Sequence, residues 1–251
     1  MERAAKHFDT VAAATRVAPG DLEIWSLPWN VVQACPDPVD LADPLDEAQF
    51  HAIALDLAGL KGAADHVVPL VDELQARGIP TVVYAAPADW IMHLQMEGLD
   101  ARIASCEDLA RAIDLLRQYD DLRRRCTSDR GRRVGQLRMP AVAPSLAPLC
   151  AYARGRLEEA RVEATVLRSL LRECYRNMVA VLEEENSEDG ALSLSATVHD
   201  GRATLTLLDS GLPRENEIIR PGDPTRVDRI HRFRILDRHN ALVLEKDLPI
   251  G

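Results

Sequence analysis

A glutamate and an asparagine stand four residues apart in "LLRECYRNMVAVLEEEN", Leu170 to Asn186. On a helix that spacing places Glu173 and Asn177 on one face. A carboxylate beside a carboxamide suits a hydroxyl nucleophile and a magnesium ion. The carboxylate takes the proton, and the amide oxygen is a hard ligand of the kind magnesium prefers. Further along, "ATLTLLDSGLP" reads as an apolar strand running into Asp209-Ser210-Gly211. At such a strand end Asp209 would accept a hydrogen bond from a purine amino group. Gly211, with no Cβ, would let a ligand lie against the backbone. Each motif alone is common, since Glu-x-x-x-Asn occurs on many helices and Asp-Ser-Gly ends many strands. Their order, helix then hairpin then Asp-x-Gly, is the more specific signal.

Those residues need elements to hold them. "LAPLCAYARGRLEEARVEATVLRSLLRECYRNMVAVLEEEN" predicts two helices, split near Glu163. "ALSLSATVHDGRATLTLLDSG" alternates apolar and polar residues on either side of His199-Asp200-Gly201, the pattern of a hairpin. "ENEIIRPGDPTRV" reads as loop, and "DRIHRFRILDRHNALVLEKDL" as a second hairpin turning at Asp237 to Asn240. Helices followed by antiparallel strands predict an α+β sandwich, one layer of each. The first half has a different rhythm. "AIALDL" (Ala52 to Leu57) and "IPTVVYAA" are buried-type strands. "AADHVVPLVDELQARG" has helical spacing and Gly78 as its stop, and "DWIMHLQMEGL" is a short helix. "ARIASCEDLARAIDLLRQYDDLRRR" predicts a brief strand, a cap at Ser105 and a long amphipathic helix. Strands alternating with helices predict a mostly parallel sheet covered by helices. Residues 1–50 carry weaker signals: one or two short strands in "LEIWSLPWNVV" and loop in the Pro- and Asp-rich "CPDPVDLADPLDE". Met92 and Met96, at helical spacing, are expected in the core.

Between the halves, "RRRCTSDRGRRVGQLRMPAVAPS" breaks the pattern with seven arginines. It reads as a linker over residues 123–138, separating a domain at 1–122 from one at 139–251. A solvated charged connector is the simpler account of it, and a basic spot for nucleic acid the lesser one. The 251 residues carry a net charge of −10. That balance argues against capture of nucleic acid or of an anionic membrane surface. Hydrophobic residues make up 47% and aromatics 4%, so a core must be built from Leu, Val, Ala and Ile. No apolar run approaches the roughly 18–20 residues of a membrane span, and the N-terminus lacks the apolar stretch of a signal peptide. Five scattered cysteines with no C-x-x-C point away from a zinc site and a disulfide framework, and towards a reducing cytoplasm. The histidines show no ligand spacing, so no metal centre is expected from them.

Residues from about 138 to 248 resemble the ATP-binding domain of anti-sigma factor serine kinases, in the GHKL (Bergerat, histidine kinase-like ATPase) superfamily. "RMPAVAPSLAPLCAYARGRLEEA" is similar to that family's opening strand and first helix, and "VLRSLLRECYRNMV" to its N box. "LLDSG" is similar to its G1 box, and "VDRIHRFRILDRHNALVLEKDL" to its closing hairpin and last strand. The resemblance implies Glu173 as catalytic base, Asn177 as magnesium ligand, Asp209 as adenine reader, and ATP with magnesium as cofactors. Three departures stand against it. Val181 occupies a position where the family commonly has histidine, and Pro213 stands where the G1 box usually has a second glycine. The ATP lid is reduced to "RENEIIRPGDPTR", with Gly222 as its one glycine and no room for a helix N-terminus facing phosphates. Phosphoryl transfer depends on positioning and charge neutralisation, so the implied site is degenerate unless Arg214, Arg220 or Arg226 substitutes.

"AIALDLAGL", "DELQARGIPTVVYAA" and "MEGLDARIASCEDLARAI", over about residues 50 to 118, resemble the STAS (anti-sigma factor antagonist) fold. That family runs strand, helix, strand, short helix, Gly-Leu-Asp and closing helix. Its switch is a phosphorylatable serine or threonine at the start of the helix after the first of these strands. Asp65 falls on that position, either imitating the phosphorylated state with about half the charge of a phosphate or simply capping the helix. A receiver domain using Asp56 is the rival fold. It lacks the acidic pair after its first strand and a lysine near its last, since no lysine lies between Lys61 and Lys246.

The expectation is therefore α/β plus α+β: a STAS-like domain, an arginine-rich linker and a GHKL-like sandwich. The implied role is regulation by protein–protein contact in a bacterial partner-switching circuit of anti-sigma or anti-anti-sigma type. This is transcription control by a pseudokinase rather than by a working enzyme. The implied partners are a STAS-domain or anti-sigma-type protein, a sigma factor, or a second copy in a homodimer, with neither nucleic acid nor membrane involved. The alternative is an active ATP-dependent serine kinase that phosphorylates a STAS partner. A small-molecule sensor built on the STAS-like cavity is a further rival, for which no convergent polar cluster is seen.

Overall fold

The computed structural model describes residues 13–18, 22–33, 38–48, 50–60, 66–127, 135–185, 187–210, 227–235 and 239–248. The chain divides into two compact units, one drawn mainly from residues up to Asp121 and the other mainly from Leu122 onward. Its fold is mixed α/β, with one largely parallel sheet and one antiparallel sheet. No helix among the described residues is long and apolar enough to cross a membrane.

The first unit begins with β1 (Thr15–Ala18) and β2 (Ile24–Pro28), followed by the short helix α1 (Trp29–Gln33) and α2 (Pro38–Glu47). Then come β3 (Ala52–Asp56), α3 (Val67–Ala76), β4 (Thr81–Tyr84), α4 (Ala88–Met96), β5 (Ser105–Cys106) and α5 (Leu109–Thr127). The strand order is β1-β2-β3-β4-β5. β1 runs antiparallel to β2, and β2 through β5 are parallel. Both faces of this sheet are covered. Ile53, Leu55 and Val83 pack with Leu41, Leu45, Val67, Leu70 and Trp90 on one side. Ala52, Ala54, Val82 and Tyr84 pack with Ala112 and Leu116 of α5 on the other. Gly78, at φ 81°, ends α3, and the Ile79 N–H closes on the Leu74 carbonyl at 2.9 Å. That six-residue closure needs the left-handed residue which glycine supplies.

Several expectations for this half are corrected. "CPDPVDLADPLDE" holds α2 rather than a loop, despite Pro44 inside it. Leu41, Ala42 and Leu45 are fully buried along one side. Burying the two leucines is worth about 3–6 kcal/mol, enough to offset the roughly 3 kcal/mol that an interior proline costs. "LEIWSLPWNVV" does give one of the expected short strands, and a single helical turn follows it. Met92 and Met96 are not core: they are 58% and 73% exposed. α4 carries a second pair at the same spacing, Trp90 and Leu94, and that pair is the buried one. Ser105 is no cap. It lies in β5 opposite Val83, while Asp108, directly before α5, accepts the Arg111 N–H at 2.8 Å. A carboxylate one residue from the first turn reaches the free amides that Ser105 cannot. The brief strand expected near Ala101 is a 3-10 turn, Leu99–Ala101, followed by β5.

α5 runs through Arg123–Arg125 to Thr127, and β6 (Gln136–Ala141) opens the second unit. After a 3-10 turn come α6 (Leu146–Glu159), α7 (Ala164–Glu185), β7 (Ser187–His199), β8 (Arg202–Asp209), β9 (Arg229–Ile235) and β10 (His239–Asp247). The sheet is antiparallel throughout, ordered β6-β7-β8-β10-β9. The β7–β8 turn is Asp200-Gly201, with φ of 50° and 69°. Both residues are left-handed, the geometry that an Asp-Gly hairpin turn favours. One face carries Met139, Leu192, Leu194, Leu205, Leu207, Leu242 and Leu244 into a core with α6 and α7. Along α7, Leu167, Leu170, Leu171, Cys174, Met178 and Val181 repeat at three and four residues and meet that face. This is the helix layer on a sheet layer that the pattern predicts.

Candidate functional site

α7 places Glu173 and Asn177 one turn apart, on the flank of the stripe that packs against the sheet. That position leaves Glu173 partly exposed and Asn177 only 8% exposed. The Asn177 amide is held at both ends. Its Nδ2 donates to the Glu173 carbonyl at 2.8 Å and to Glu173 Oε1 at 3.2 Å. Its Oδ1 accepts from Arg232 Nη2 at 2.7 Å. Glu173 Oε2 lies 3.8 Å from Arg176 Nη1.

Strand register explains where Arg232 comes from. Arg232 pairs with Leu242, Leu242 with Leu207, and Leu207 with Leu194, all in one row across the helix-facing side. The next row runs Arg234, Asn240, Asp209 and Leu192. Arg232 thus stands on the edge strand at a position whose neighbours are core leucines. Asp209 ends β8 on the same inward side and is 5% exposed. Its Oδ1 accepts from Asn240 Nδ2 at 2.8 Å. Ser210, the next residue, accepts the Ala191 N–H on its Oγ at 3.0 Å, so the middle residue of Asp-Ser-Gly ties β8 to β7.

The would-be metal ligand, Asn177 Oδ1, is engaged by a guanidinium. One oxygen of the would-be base, Glu173, accepts from Asn177. One oxygen of the would-be purine reader, Asp209, accepts from Asn240. These residues do not fit a magnesium ion as they stand. A cation at Asn177 Oδ1 would share that oxygen with Arg232, and like charges about 4 Å apart near a surface repel by about 4 kcal/mol per pair of unit charges. Among the described residues no three His, Cys, Asp or Glu side chains come together to hold a metal ion. The adjacent Cys174 is no nucleophile. Burial first, and then the charge of Glu173, push its thiol up to about 12, far from the thiolate form.

Glu173 and Asn177 are brought into direct contact, as their spacing predicts. Asp209 sits at the end of its strand with a different partner. Asp65 and Gly211 lie outside the described residues. So does the reduced lid from Pro213 to Arg226, with Arg214, Arg220 and Arg226. Val181 is 2% exposed within the core. In the first unit Asp56 ends β3, and its Oδ1 takes the Ala58 N–H at 2.8 Å in a local turn. Beside it, Ser26 Oγ and the Tyr84 hydroxyl are 2.9 Å apart. Burial raises the Tyr84 phenol, and Ser26 partly offsets this.

Arg232 and Asn240 were not singled out from the sequence. The available signal was the alternation in "RIHRFRI", which puts Arg232 and Arg234 in phase with Ile230. A charged residue in phase with a core position points to a partner across the layer. No protein-family model matches the chain, and no curated protein matches it.

Proposed function

We propose that the chain is a regulatory protein that acts through protein–protein contact, in a partner-switching circuit of anti-sigma or anti-anti-sigma type. In this reading the first unit is a STAS-like domain. The second is a GHKL-like sandwich whose nucleotide site has been converted to internal hydrogen bonding. The observation that carries the reading is the state of the three anchor side chains. Glu173, Asn177 and Asp209 stand in the order and on the elements that a nucleotide site would use, yet each spends a ligand-facing atom on Arg232, Asn240 or one another. Element order adds support. β3-α3-β4-α4-β5-α5 follows the strand, helix and Gly-Leu-Asp sequence of a STAS-like domain. β6-α6-α7 and two hairpins follow the order of a GHKL-like one. A scaffold needs the packed helix layer and sheet and has no use for a metal ligand, so replacing ligand bonds with side-chain bonds costs it nothing.

Two measurements on the full chain test this. Calorimetric titration with ATP and magnesium is expected to give no saturable binding, unchanged by Asn177→Ala. Co-purification from the native cell is expected to recover a STAS-domain or anti-sigma-type protein. Tight magnesium-dependent ATP binding that Asn177→Ala abolishes, with phosphate appearing on a partner serine, would replace the regulatory reading with a working kinase.

A further inference from the structure

We infer that Arg232 is a built-in substitute for a metal ion at Asn177, and that it holds the second unit in a form that refuses divalent cations. The inference deepens the regulatory reading and rests on its view of the helix-and-hairpin site.

The Asn177 side chain is held at both of its polar atoms. An asparagine amide has one acceptor oxygen, with two lone pairs, and two N–H donors. In Asn177 the acceptor faces Arg232 at 2.7 Å, and the donors face the Glu173 carbonyl and carboxylate at 2.8 and 3.2 Å. Turning the amide over would set Nδ2 against a guanidinium, donor to donor, and Oδ1 against a carbonyl and a carboxylate, acceptor to acceptor. The orientation therefore has a single satisfied form. In that form the oxygen a metal would need is the one Arg232 holds.

Location makes the arrangement durable. Asn177 is 8% exposed, so water offers little compensation if the guanidinium leaves. Arg232 is fixed in register opposite Leu242, with seven consecutive β9–β10 pairs running from His239 with Ile235 to Glu245 with Arg229. A charge-assisted bond of 2.7 Å is among the stronger kinds. Its partner is rigid because Glu173, one turn earlier on α7, holds the other end of the same amide. A single positive charge thus sits where a doubly charged ion would, and it travels with the fold. Arg232 is a positioning residue in this account, acting through Asn177.

The test uses manganese(II) with ADP as the probe on the full chain. Binding is followed by electron paramagnetic resonance, and broadening of the Asn177 side-chain amide by nuclear magnetic resonance. The wild-type chain and Arg232→Lys, which keeps the charge, are expected to leave that amide sharp. Arg232→Ala is expected to broaden it and to tighten manganese binding by at least about tenfold, the scale on which groups around a metal ligand tune affinity. Should the alanine variant lose its fold by circular dichroism, Arg232→Gln serves in its place. Broadening at Asn177 in the wild type would overturn the inference. So would a folded Arg232→Ala or Arg232→Gln chain that still leaves the amide sharp. Failure of the regulatory reading looks different: a chain that recovers no partner yet excludes manganese until Arg232 is removed would keep the inference and lose the function.

Discussion

In β3 and β4 eight of nine residues are buried, Ala52 to Leu55 and Thr81 to Tyr84, and only Asp56 is less so. In β8 burial alternates strictly, from half-buried Arg202 to buried Asp209. The first sheet is covered by helices on both faces, so successive side chains all enter a core. Among the described residues, helices pack on one face of the second, and its other face carries polar residues such as Thr204 and Thr206. The difference decides what a polar inward residue means in each unit. In the first, Ser26 and Tyr84 meet inside a covered layer, with Asp56 beside the Tyr84 hydroxyl. In the second, Arg232, Asn240 and Asp209 lie on the helix-facing side, where Arg232 meets Asn177 of α7 and Asn240 meets Asp209.

Aspartate scanning is the severest way to break this comparison. Ala54→Asp and Leu55→Asp point to opposite faces of β3, and both are expected to cost more than about 4 kcal/mol, because either buries an unpaired charge. In β8 the outcome should split. Leu207→Asp collapses the second unit, and Thr206→Asp stays within about 1 kcal/mol. Peptide-resolved hydrogen exchange on the full chain reads each unit separately, and tolerance at one of Ala54 and Leu55 but not the other would show that one face of the first sheet is open.

The buried polar contacts give a smaller effect. Arg232→Ala leaves the Asn177 oxygen without its donor and is expected to cost about 1–3 kcal/mol in urea denaturation. Tyr84→Phe removes one hydroxyl from the Ser26 pair and is expected to cost about 1 kcal/mol. If the two came out in reverse order, the first unit would hold the more critical polar site.

The smallest effect lies at the end of the second sheet. Arg202 donates to Asp247 Oδ1 at 2.9 Å. That bond, with Arg229 nearby, holds the Asp247 carboxyl below its usual range. A carboxyl depressed in the folded state contributes stability above its unfolded value, and the contribution is lost as pH falls through the folded value. Asp247→Asn should therefore remove a small stability contribution at neutral pH, and its difference from the wild type should fade as pH falls below about 4. The pair is exposed, so added salt should shrink the difference further.

Much of the fold was legible because burial leaves a period in the sequence. Continuous apolar runs marked β3 and β4, and alternation marked β7 and β8. The three-and-four spacing marked α7, together with the shared face of Glu173 and Asn177. The misses have a common form. Met92 with Met96 and Trp90 with Leu94 are equally good helical pairs, and only the surrounding layers select between them. α2 runs against its prolines because Leu41 and Leu45 have somewhere to go. Ser105 and Asp108 both look like caps until the helix start is known to within a residue.

The candidate site divides in the same way. Glu173 and Asn177 meet because four residues make one helical turn, which is local geometry and readable from the chain. Asp209 ends its strand for an equally local reason. Arg232 reaching Asn177 across 55 positions, and Asn240 reaching Asp209 across 31, are matters of strand register and of the helix layer above. One residue of slip in β9 would turn Arg232 to the other side of the sheet. Which atoms were available for chemistry was written in the residue types. Whether those atoms remained available was decided only when the sheet and helices closed over them, because a buried hydrogen-bonding group takes the nearest partner that the tertiary structure supplies.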